Sequence, residues 1–439
     1  MLPPITEHVS PVWARSHNIL IEHAQGSYIY DVNGERYLDF TCGIGVTNTG
    51  HCHPQVVAAA QEQTAKFIHA QANSFYHQPM LNLVEQLLTV TPPSLDHYFF
   101  SNSGAEAIEA ALKLARYATK RTNVIAFQGA FHGRTVGTMS LTSSKVLMRS
   151  HYAPLMSGVH IAPYPYAYRL GMEPDDCAEF CLDELDYMFA TATAPDETAA
   201  IIIEPILGEG GYLVPPENFL KGLRQICDQH SIMFILDEVQ SGFGRTGKWF
   251  GHEHFGITPD IMVMAKGIAS GFPLSGIATR KDIMAKWSPG SHGGTYGGNA
   301  VACAAGVATI KAMKEEKMVE NAARLGPVLL GGLRDLQEEF PIIGDVRGVG
   351  LMAAAEFTAA SGDWHASKHL AKAVQKHCLD AGKLMLLTCG PYDNVIRWIP
   401  SLITTQEEIE GALGTFADAL RQVTSDTPTT RARRSMPAQ

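Results

Sequence analysis

Short segments that are apolar on both faces alternate along the middle of the chain with longer stretches whose apolar residues recur at helical spacing. Such strands are typical of parallel sheets, because helices cover both faces of those sheets. One complete unit runs from Ala200–Pro205 through a helical pattern at 216–230 to Met233–Asp237. Repeated units of this kind predict an α/β fold with a ligand crevice at the carboxyl ends of the strands. The strands predicted here are His97–Ser101, Asn123–Gln128, Ala200–Pro205, Met233–Asp237 and Asp260–Ala265.

The two ends of the chain have a different pattern. Residues 26–40 alternate apolar and polar side chains around Asn33-Gly34, which predicts a hairpin with a tight turn. A charged helix is predicted at 311–336, then a strand pair at 345–357, another helix and a last short strand at Ile396–Ile399. We therefore expect a smaller α+β domain formed by both ends. The expected segments are 1–58 (N-terminal part of the small domain), 59–312 (large domain), 313–423 (C-terminal part of the small domain) and 424–439 (disordered tail).

Composition excludes several classes of partner. The formal net charge is -10 and 18% of the residues are charged, so the surface as a whole repels phosphate backbones and nucleic acid is not expected. An arginine-rich tail could bind an acidic surface, but a solvated end explains the same residues. The first residues lack the basic and apolar regions of an export signal, and no window approaches the roughly 18 apolar residues of a membrane helix. We expect no membrane partner.

The cysteines and histidines do not form the patterns of disulfide scaffolds or metal sites. Eight cysteines are scattered without a CxxC pair, which favours reduced thiols in a cytoplasmic protein. His51 and His53 are almost adjacent, and a zinc site needs more widely separated pairs. A structural turn is the favoured interpretation there, and no metal is expected.

A candidate phosphate site lies at the end of the first predicted strand. Ser103, Gly104 and Ala105 open a helix without bulky side chains, so backbone N–H groups and the helix dipole face an incoming anion. A serine N-cap accounts for the same residues equally well.

Two further residues follow strands and carry functional groups. Asp237 ends an apolar strand before a glycine-rich loop, where its carboxylate could pair with a pyridinium nitrogen or serve as a turn aspartate. Lys266 follows another fully apolar strand, where burial would favour a neutral and reactive amine. A lone lysine at this position is more often a surface residue, but the glycines and prolines after it indicate close approach to a bulky group.

Taken together, seven motifs in this order closely resemble the class III aminotransferases of fold type I. They are SGAEA, FHGRT, IIEPILGEGG, LDEVQSGFGRTG, AKGIASGFPLSG, GGTYGGN and CGPYDNVIR, and the resemblance runs from about Pro11 to about Leu420. Within that class, NTGHCHP, GDVRG and CGPYDNVIR are most similar to 4-aminobutyrate aminotransferases. The resemblance implies a large domain with a mostly parallel seven-stranded sheet flanked by helices, plus the smaller α+β domain.

The resemblance also implies pyridoxal 5'-phosphate as cofactor and assigns the residues that hold it. Lys266 is the expected Schiff-base lysine and Asp237 the partner of the pyridinium nitrogen. Thr295 is expected to reach the phosphate in the neighbouring subunit, which implies a homodimer with shared active sites, alone or paired into a tetramer. The other expected cofactor contacts are Phe131 and Val239 on the two ring faces, Gln240 at the ring hydroxyl, and Ser103, Gly104 and Ala105 at the phosphate.

Substrate recognition is also implied by the resemblance. Arg134 resembles an arginine that binds the carboxylate of an ω-amino acid, and Arg397 resembles one that binds an α-carboxylate. Glu209 resembles a switch residue that pairs with Arg397 when the substrate has no α-carboxylate. Ile44 and Glu204 resemble residues that lie beside the substrate. The expected reaction transfers the amino group of a 4-aminobutyrate-like donor to 2-oxoglutarate by a ping-pong mechanism.

Several alternatives remain at this point. An amino-acid racemase or 2-epimerase shares nearly all of these motifs, although Arg134, Glu209 and Arg397 together favour transamination. Ornithine, acetylornithine and broader amine transaminases differ only in substrate. A nucleotide-binding dehydrogenase would need a GxGxxG turn after the first strand, and no such unit is present there. A noncatalytic cofactor-binding protein would not need both arginines and the intact Lys266.

Overall fold

The computed structural model describes residues 3–359 and 365–425 of the chain. The strands form one sheet of seven and two sheets of four, with helices on both faces of the large sheet. The strands are β1 (Ile21–Gln25), β2 (Tyr28–Asp31), β3 (Arg36–Asp39), β4 (His97–Ser101), β5 (Asn123–Phe127), β6 (Val159–Ala162), β7 (Thr198–Ile203), β8 (Met233–Asp237), β9 (Ile261–Met264), β10 (Ser275–Thr279), β11 (Ile343–Val349), β12 (Met352–Phe357), β13 (Leu384–Met385), β14 (Leu387–Cys389) and β15 (Val395–Trp398).

The helices carry apolar faces that pack against these sheets. The first, α1, is a four-residue turn with left-handed residues, and the others are regular. They are α1 (Cys42–Gly45), α2 (Pro54–Lys66), α3 (Gln78–Leu87), α4 (Gly104–Thr119), α5 (Val136–Leu141), α6 (Ala167–Leu170), α7 (Pro174–Thr191), α8 (Glu217–His230), α9 (Lys281–Met284), α10 (Ala300–Glu315), α11 (Met318–Glu339), α12 (Lys368–Asp380) and α13 (Gln406–Ser425). No helix in the described ranges is long and apolar enough to cross a membrane.

The large sheet has the order β4-β10-β9-β8-β7-β5-β6, and only β10 runs against its neighbours. The mostly parallel α/β fold expected from the sequence is therefore confirmed. β4 and β8 match their predicted ranges, while β5, β7 and β9 differ by one or two residues at their ends. β6 and β10 were not predicted. β10 has the sequence SGIAT, yet all five residues are buried because it lies between β4 and β9.

The predicted hairpin at 26–40 is present as β2 and β3, and the predicted strand pair is present as β11 and β12. The single charged helix predicted at 311–336 is wrong. The chain instead forms α10 and α11, which are separated at Lys317, where φ is +52°. This left-handed residue ends one helix and re-aims the next, because a regular α-helix requires negative φ.

The predicted division at residue 312 stays a prediction. A single cluster of buried apolar side chains contains residues from both sides of that point, including Ile268, Ile310, Leu325 and Ile396. The large sheet and the C-terminal segment are thus packed together. Of the predicted tail, residues 424 and 425 belong to α13, and residues 426–439 lie outside the described ranges.

Candidate active site

The candidate site is assembled where β4, β8 and β9 end, as expected for a sheet of this type. Ser103 is the N-cap of α4 and forms a capping box with Glu106. The Glu106 carboxylate accepts hydrogen bonds from the backbone N–H groups of Asn102 and Ser103, at 2.9 and 2.8 Å. The serine cap considered from the sequence is therefore real. The N–H groups of Gly104 and Ala105, in the first helical turn, have no intrahelical acceptor and remain available to an anion.

Asp237 is buried at the end of β8 and is held from two sides. One carboxylate oxygen accepts a hydrogen bond from the Val239 backbone N–H at 3.0 Å, and the other lies 2.7 Å from Nδ1 of His132. Burial opposes a charge on His132, but the hydrogen bond and charge of Asp237 outweigh it and raise the pKa of the imidazole. The pair therefore fixes the position of the Asp237 carboxylate at one wall of the site.

Lys266 follows β9 in a left-handed conformation, with φ of +46°. A positive φ is uncommon outside glycine and marks a backbone position held by its surroundings. Desolvation, together with repulsion from Arg397, lowers the pKa of Lys266 from 10.5 to about 8. A substantial fraction of the amine is thus neutral near neutral pH.

Glu204 lies at the end of the strand next to β8, fully surrounded by protein. Its carboxylate accepts backbone hydrogen bonds from Phe131 and Gly208, each at 2.9 Å. Burial nevertheless raises the pKa of Glu204 to about 7, with a further contribution from the negative charge of Asp237. Glu204 can therefore change protonation state near neutral pH.

These groups line a cavity of about 380 Å³. It brings together most of the cofactor residues expected from the sequence, and it also includes Glu204 from the expected substrate residues. The expected residues on its wall are Ser103, Gly104, Ala105, Phe131, Glu204, Asp237, Val239, Gln240 and Lys266.

A buried ion pair lies beside this cavity. Nη1 of Arg397, on β15, is 2.8 Å from Oε2 of Glu209. The side chain of Arg397 is 5% exposed, so the guanidinium relies on this carboxylate for compensation of its charge. Oε1 of the same glutamate lies 3.4 Å from Nζ of Lys145.

Comparison with known proteins places the chain in a family. Residues 9–420 match the family described as aminotransferase class-III. The chain belongs to the class III aminotransferases. It is 40% identical over 410 residues to 5-aminovalerate aminotransferase of Pseudomonas aeruginosa, which covers 93% of this chain and 94% of that protein. It is 41% identical over 399 residues to 4-aminobutyrate aminotransferase of Escherichia coli, which covers 90% and 92% of the two chains.

The class III scaffold also hosts a different activity among its relatives. An alanine/serine racemase of Pyrococcus horikoshii is 38% identical over 403 residues, which cover 90% of this chain and 84% of that protein. Among solved structures, an amine transaminase from an uncultivated Pseudomonas species, in its pyridoxal-phosphate-bound form, has a TM-score of 0.88 and 29% identity. That comparison covers 96% of this chain and 98% of the other.

Class III aminotransferases use pyridoxal 5'-phosphate with small-molecule amino donors and 2-oxo acid acceptors, and the cavity of this aminotransferase fits the cofactor. Oε1 of Gln240 is buried on its wall without a hydrogen-bond partner, which suits a ring hydroxyl as donor. At Gly104, a Cβ atom would lie 3.3 Å from the Val239 side chain, so the glycine leaves space at the helix start. Asp237 places a carboxylate on the same wall, a group whose chemistry suits a protonated ring nitrogen.

Besides the Arg397–Glu209 pair, three expected site residues of the aminotransferase lie outside this cavity wall. The Arg134 guanidinium is exposed and lies 5.8 Å from the centre of the Phe131 ring. Ile44 is 43% exposed and has φ of +64°, an unusual conformation for a β-branched residue. Thr295 is exposed on the loop before α10. The geometry of one chain therefore leaves the roles of these three residues as predictions.

Sequence reasoning missed two residues that contact expected site residues. His132 was part of the quoted FHGRT motif, but its hydrogen bond to Asp237 spans 105 positions and has no local signature. Lys145 contacts Glu209 from a segment that is also distant in the sequence. In the described part of the chain no cluster of three or more potential metal ligands is present.

Proposed function

We propose that this class III aminotransferase moves the amino group of an ω-amino acid to 2-oxoglutarate. The observation that carries the proposal is the closed Arg397–Glu209 pair beside Lys266, together with Arg134 near the cavity mouth. A substrate with a distant carboxylate and no α-carboxylate leaves the closed pair intact and binds Arg134. An α-carboxylate has to replace Glu209 on Arg397. The names of the two aminotransferase relatives at 40% and 41% identity support the same substrate class.

The proposed role of each residue follows from its chemistry. Pyridoxal phosphate supplies, when bound, an aldehyde that condenses with amines and a ring that accepts electrons from the adjacent carbon. Lys266 holds the cofactor and then, as a neutral amine, would move a proton from the substrate carbon to the cofactor, which distinguishes amino transfer from racemisation. Asp237 keeps the ring nitrogen protonated, and His132 orients Asp237 through its hydrogen bond. Gly104 and Ala105 bind the phosphate through their N–H groups.

The remaining predicted contacts belong to the same proposal. Ser103 adds a phosphate contact, Phe131 and Val239 enclose the ring, and Gln240 binds its hydroxyl. Ile44 and Glu204 face the substrate. The exposed apolar side chain of Ile44 and its left-handed backbone support this role, because neither is usual for a residue without a binding partner.

We further propose a homodimer in which Thr295 binds the phosphate of the partner's cofactor. Two exposed aromatic residues, Tyr76 at 86% and Tyr296 at 63% exposure, are candidates for burial in that interface. Sedimentation at micromolar concentration tests the assembly, and a monomer that is fully active contradicts it.

A cytoplasmic location is part of the proposal and is supported by the eight cysteines, which are all free.

A two-substrate assay tests the proposed reaction. Purified protein with 4-aminobutyrate or 5-aminovalerate and 2-oxoglutarate should form glutamate in a strictly coupled, ping-pong manner. The racemase relative defines the second candidate function. Loss of optical rotation from an L-amino acid without added 2-oxo acid, and no glutamate from either ω-amino acid, would replace transamination by racemisation.

A further inference from the structure

Glu209 lies between two cations that its carboxylate contacts through different oxygens. Oε2 is 2.8 Å from Nη1 of Arg397, and Oε1 is 3.4 Å from Nζ of Lys145. In the described part of the chain, these are the two residues that form ion pairs with Glu209. One contact is a short hydrogen bond and the other is a longer ion pair, so the carboxylate is engaged with Arg397 and only approached by Lys145.

Lys145 is held in place by other groups. Its ammonium lies 2.5 Å from Asp393, in the turn between β14 and β15, and Asp393 also pairs with Lys368 at 2.9 Å. The Lys145 side chain is 17% exposed. Burial opposes its charge, but Asp393 and Glu209 outweigh that effect and raise the pKa of Lys145. Lys145 is therefore a fixed positive charge behind Glu209.

The backbone around Glu209 is also fixed. The carbonyl oxygen of Glu209 accepts a hydrogen bond from the Gly390 N–H at 2.9 Å, and the preceding Gly208 donates to Glu204 at 2.9 Å. These bonds anchor the peptide on both sides of the side chain. A movement of the carboxylate away from Arg397 is therefore a rotation of the side chain, whose other oxygen already lies 3.4 Å from Lys145.

We propose that Lys145 is a positioning residue that receives Glu209 when an α-carboxylate takes its place on Arg397. The inference rests on the proposed function, since it applies to a substrate that competes with Glu209. A buried carboxylate is strongly disfavoured if it is displaced from its guanidinium and finds no other partner. Lys145 offsets the loss of the Arg397 partner. The 3.4 Å contact between Lys145 and Glu209 would shorten and replace the ion pair that Glu209 breaks with Arg397. Lys145 thus favours the 2-oxoglutarate half-reaction over the ω-amino acid half-reaction.

The test measures each half-reaction separately in the cofactor-loaded enzyme. Lys145→Met should reduce kcat/KM for 2-oxoglutarate, relative to kcat/KM for the ω-amino donor, by about fivefold, as expected for one partly buried ion pair. The loss should be in KM for 2-oxoglutarate, and Lys145→Arg should restore most of it. Lys368→Met is the matched control, because it removes a cation from Asp393 without contacting Glu209, and it should leave the ratio unchanged.

A double-mutant cycle separates this role from a structural one. In a Glu209→Gln background, Lys145→Met should no longer change the ratio, because the charge that Lys145 receives is absent. Three outcomes would each overturn the proposal. Lys145→Met could leave the ratio of the two kcat/KM values unchanged, it could change that ratio equally in the Glu209→Gln background, or Lys368→Met could change it as much as Lys145→Met does. If Lys145→Met is unstable, Lys145→Gln and the same cycle decide. A wild-type enzyme that does not accept 2-oxoglutarate refutes the proposed function instead.

Discussion

The reactivity of Lys266 depends on its burial and, after that, on the charges around it. The pKa falls from 10.5 to about 8, a difference of about 2.5 pH units. At about 1.4 kcal/mol per unit, the surroundings favour the neutral amine by about 3 kcal/mol. About one amine in eleven is then neutral at pH 7, against about one in three thousand for an ordinary lysine. Capture of pyridoxal phosphate by cofactor-free enzyme should therefore rise with pH and level off just above pH 8.

Two substitutions should move that profile in opposite directions. Arg397 lowers the pKa of Lys266 and Glu204 raises it, after the larger effect of burial. Arg397→Met removes the repulsive charge and leaves Glu209 uncompensated, so the pKa of Lys266 should rise and the plateau should move to higher pH. Glu204→Gln removes an attractive charge, so the plateau should move to lower pH.

Stopped-flow absorbance measures this directly. Cofactor-free protein is mixed with pyridoxal phosphate between pH 6 and pH 11, and the rate at which the visible band appears is plotted against pH. Lys266→Ala serves as the blank, because it cannot condense with the aldehyde. A wild-type rate that keeps climbing to pH 10, or shifts of the same sign in both variants, would refute the electrostatic reasoning.

Three further outcomes follow from the geometry. Arg134→Met should raise KM for an ω-amino acid by about a hundredfold, the effect of losing a bidentate carboxylate contact, with no change for an amine of equal length that lacks the carboxylate. His132→Ala should weaken cofactor retention by about tenfold in equilibrium dialysis, and unchanged retention would remove its orienting role. Gly276→Ala should destabilise the protein by about 2 kcal/mol in urea unfolding, because its Cβ would lie 2.6 Å from the Phe99 carbonyl oxygen. Gly331→Ala, with open space around it, is the control and should be neutral or stabilising.

Local sequence signals were sufficient where a short apolar or aromatic run has polar residues at its end. β4 and β8 match their predicted ranges because each is a short run of apolar or aromatic residues with clear ends. β10 has no such run, since its burial comes from its place between two other strands. Lys317 was missed because a charged residue in a helical pattern gives no sign of its left-handed backbone.

The residues of the candidate site also fall into those that the sequence predicts and those that it does not. Asp237 and Lys266 could be found from the sequence because each directly follows a strand, and the carboxyl ends of neighbouring parallel strands meet. His132 and Lys145 could not, because their contacts with Asp237 and Glu209 join distant segments whose packing is set by the whole fold. The roles of Arg134, Ile44 and Thr295 depend on a substrate or a partner subunit that one chain does not contain.

The central claim is that Lys266 is the residue that binds the cofactor covalently. Borohydride reduction of the purified, cofactor-loaded enzyme, followed by proteolysis and mass spectrometry, locates the attachment site. The account predicts a reduced pyridoxyl-phosphate group on the peptide that contains Lys266, and none in the Lys266→Ala protein. An unmodified Lys266 in a fully loaded enzyme, or the group on another lysine, would contradict it.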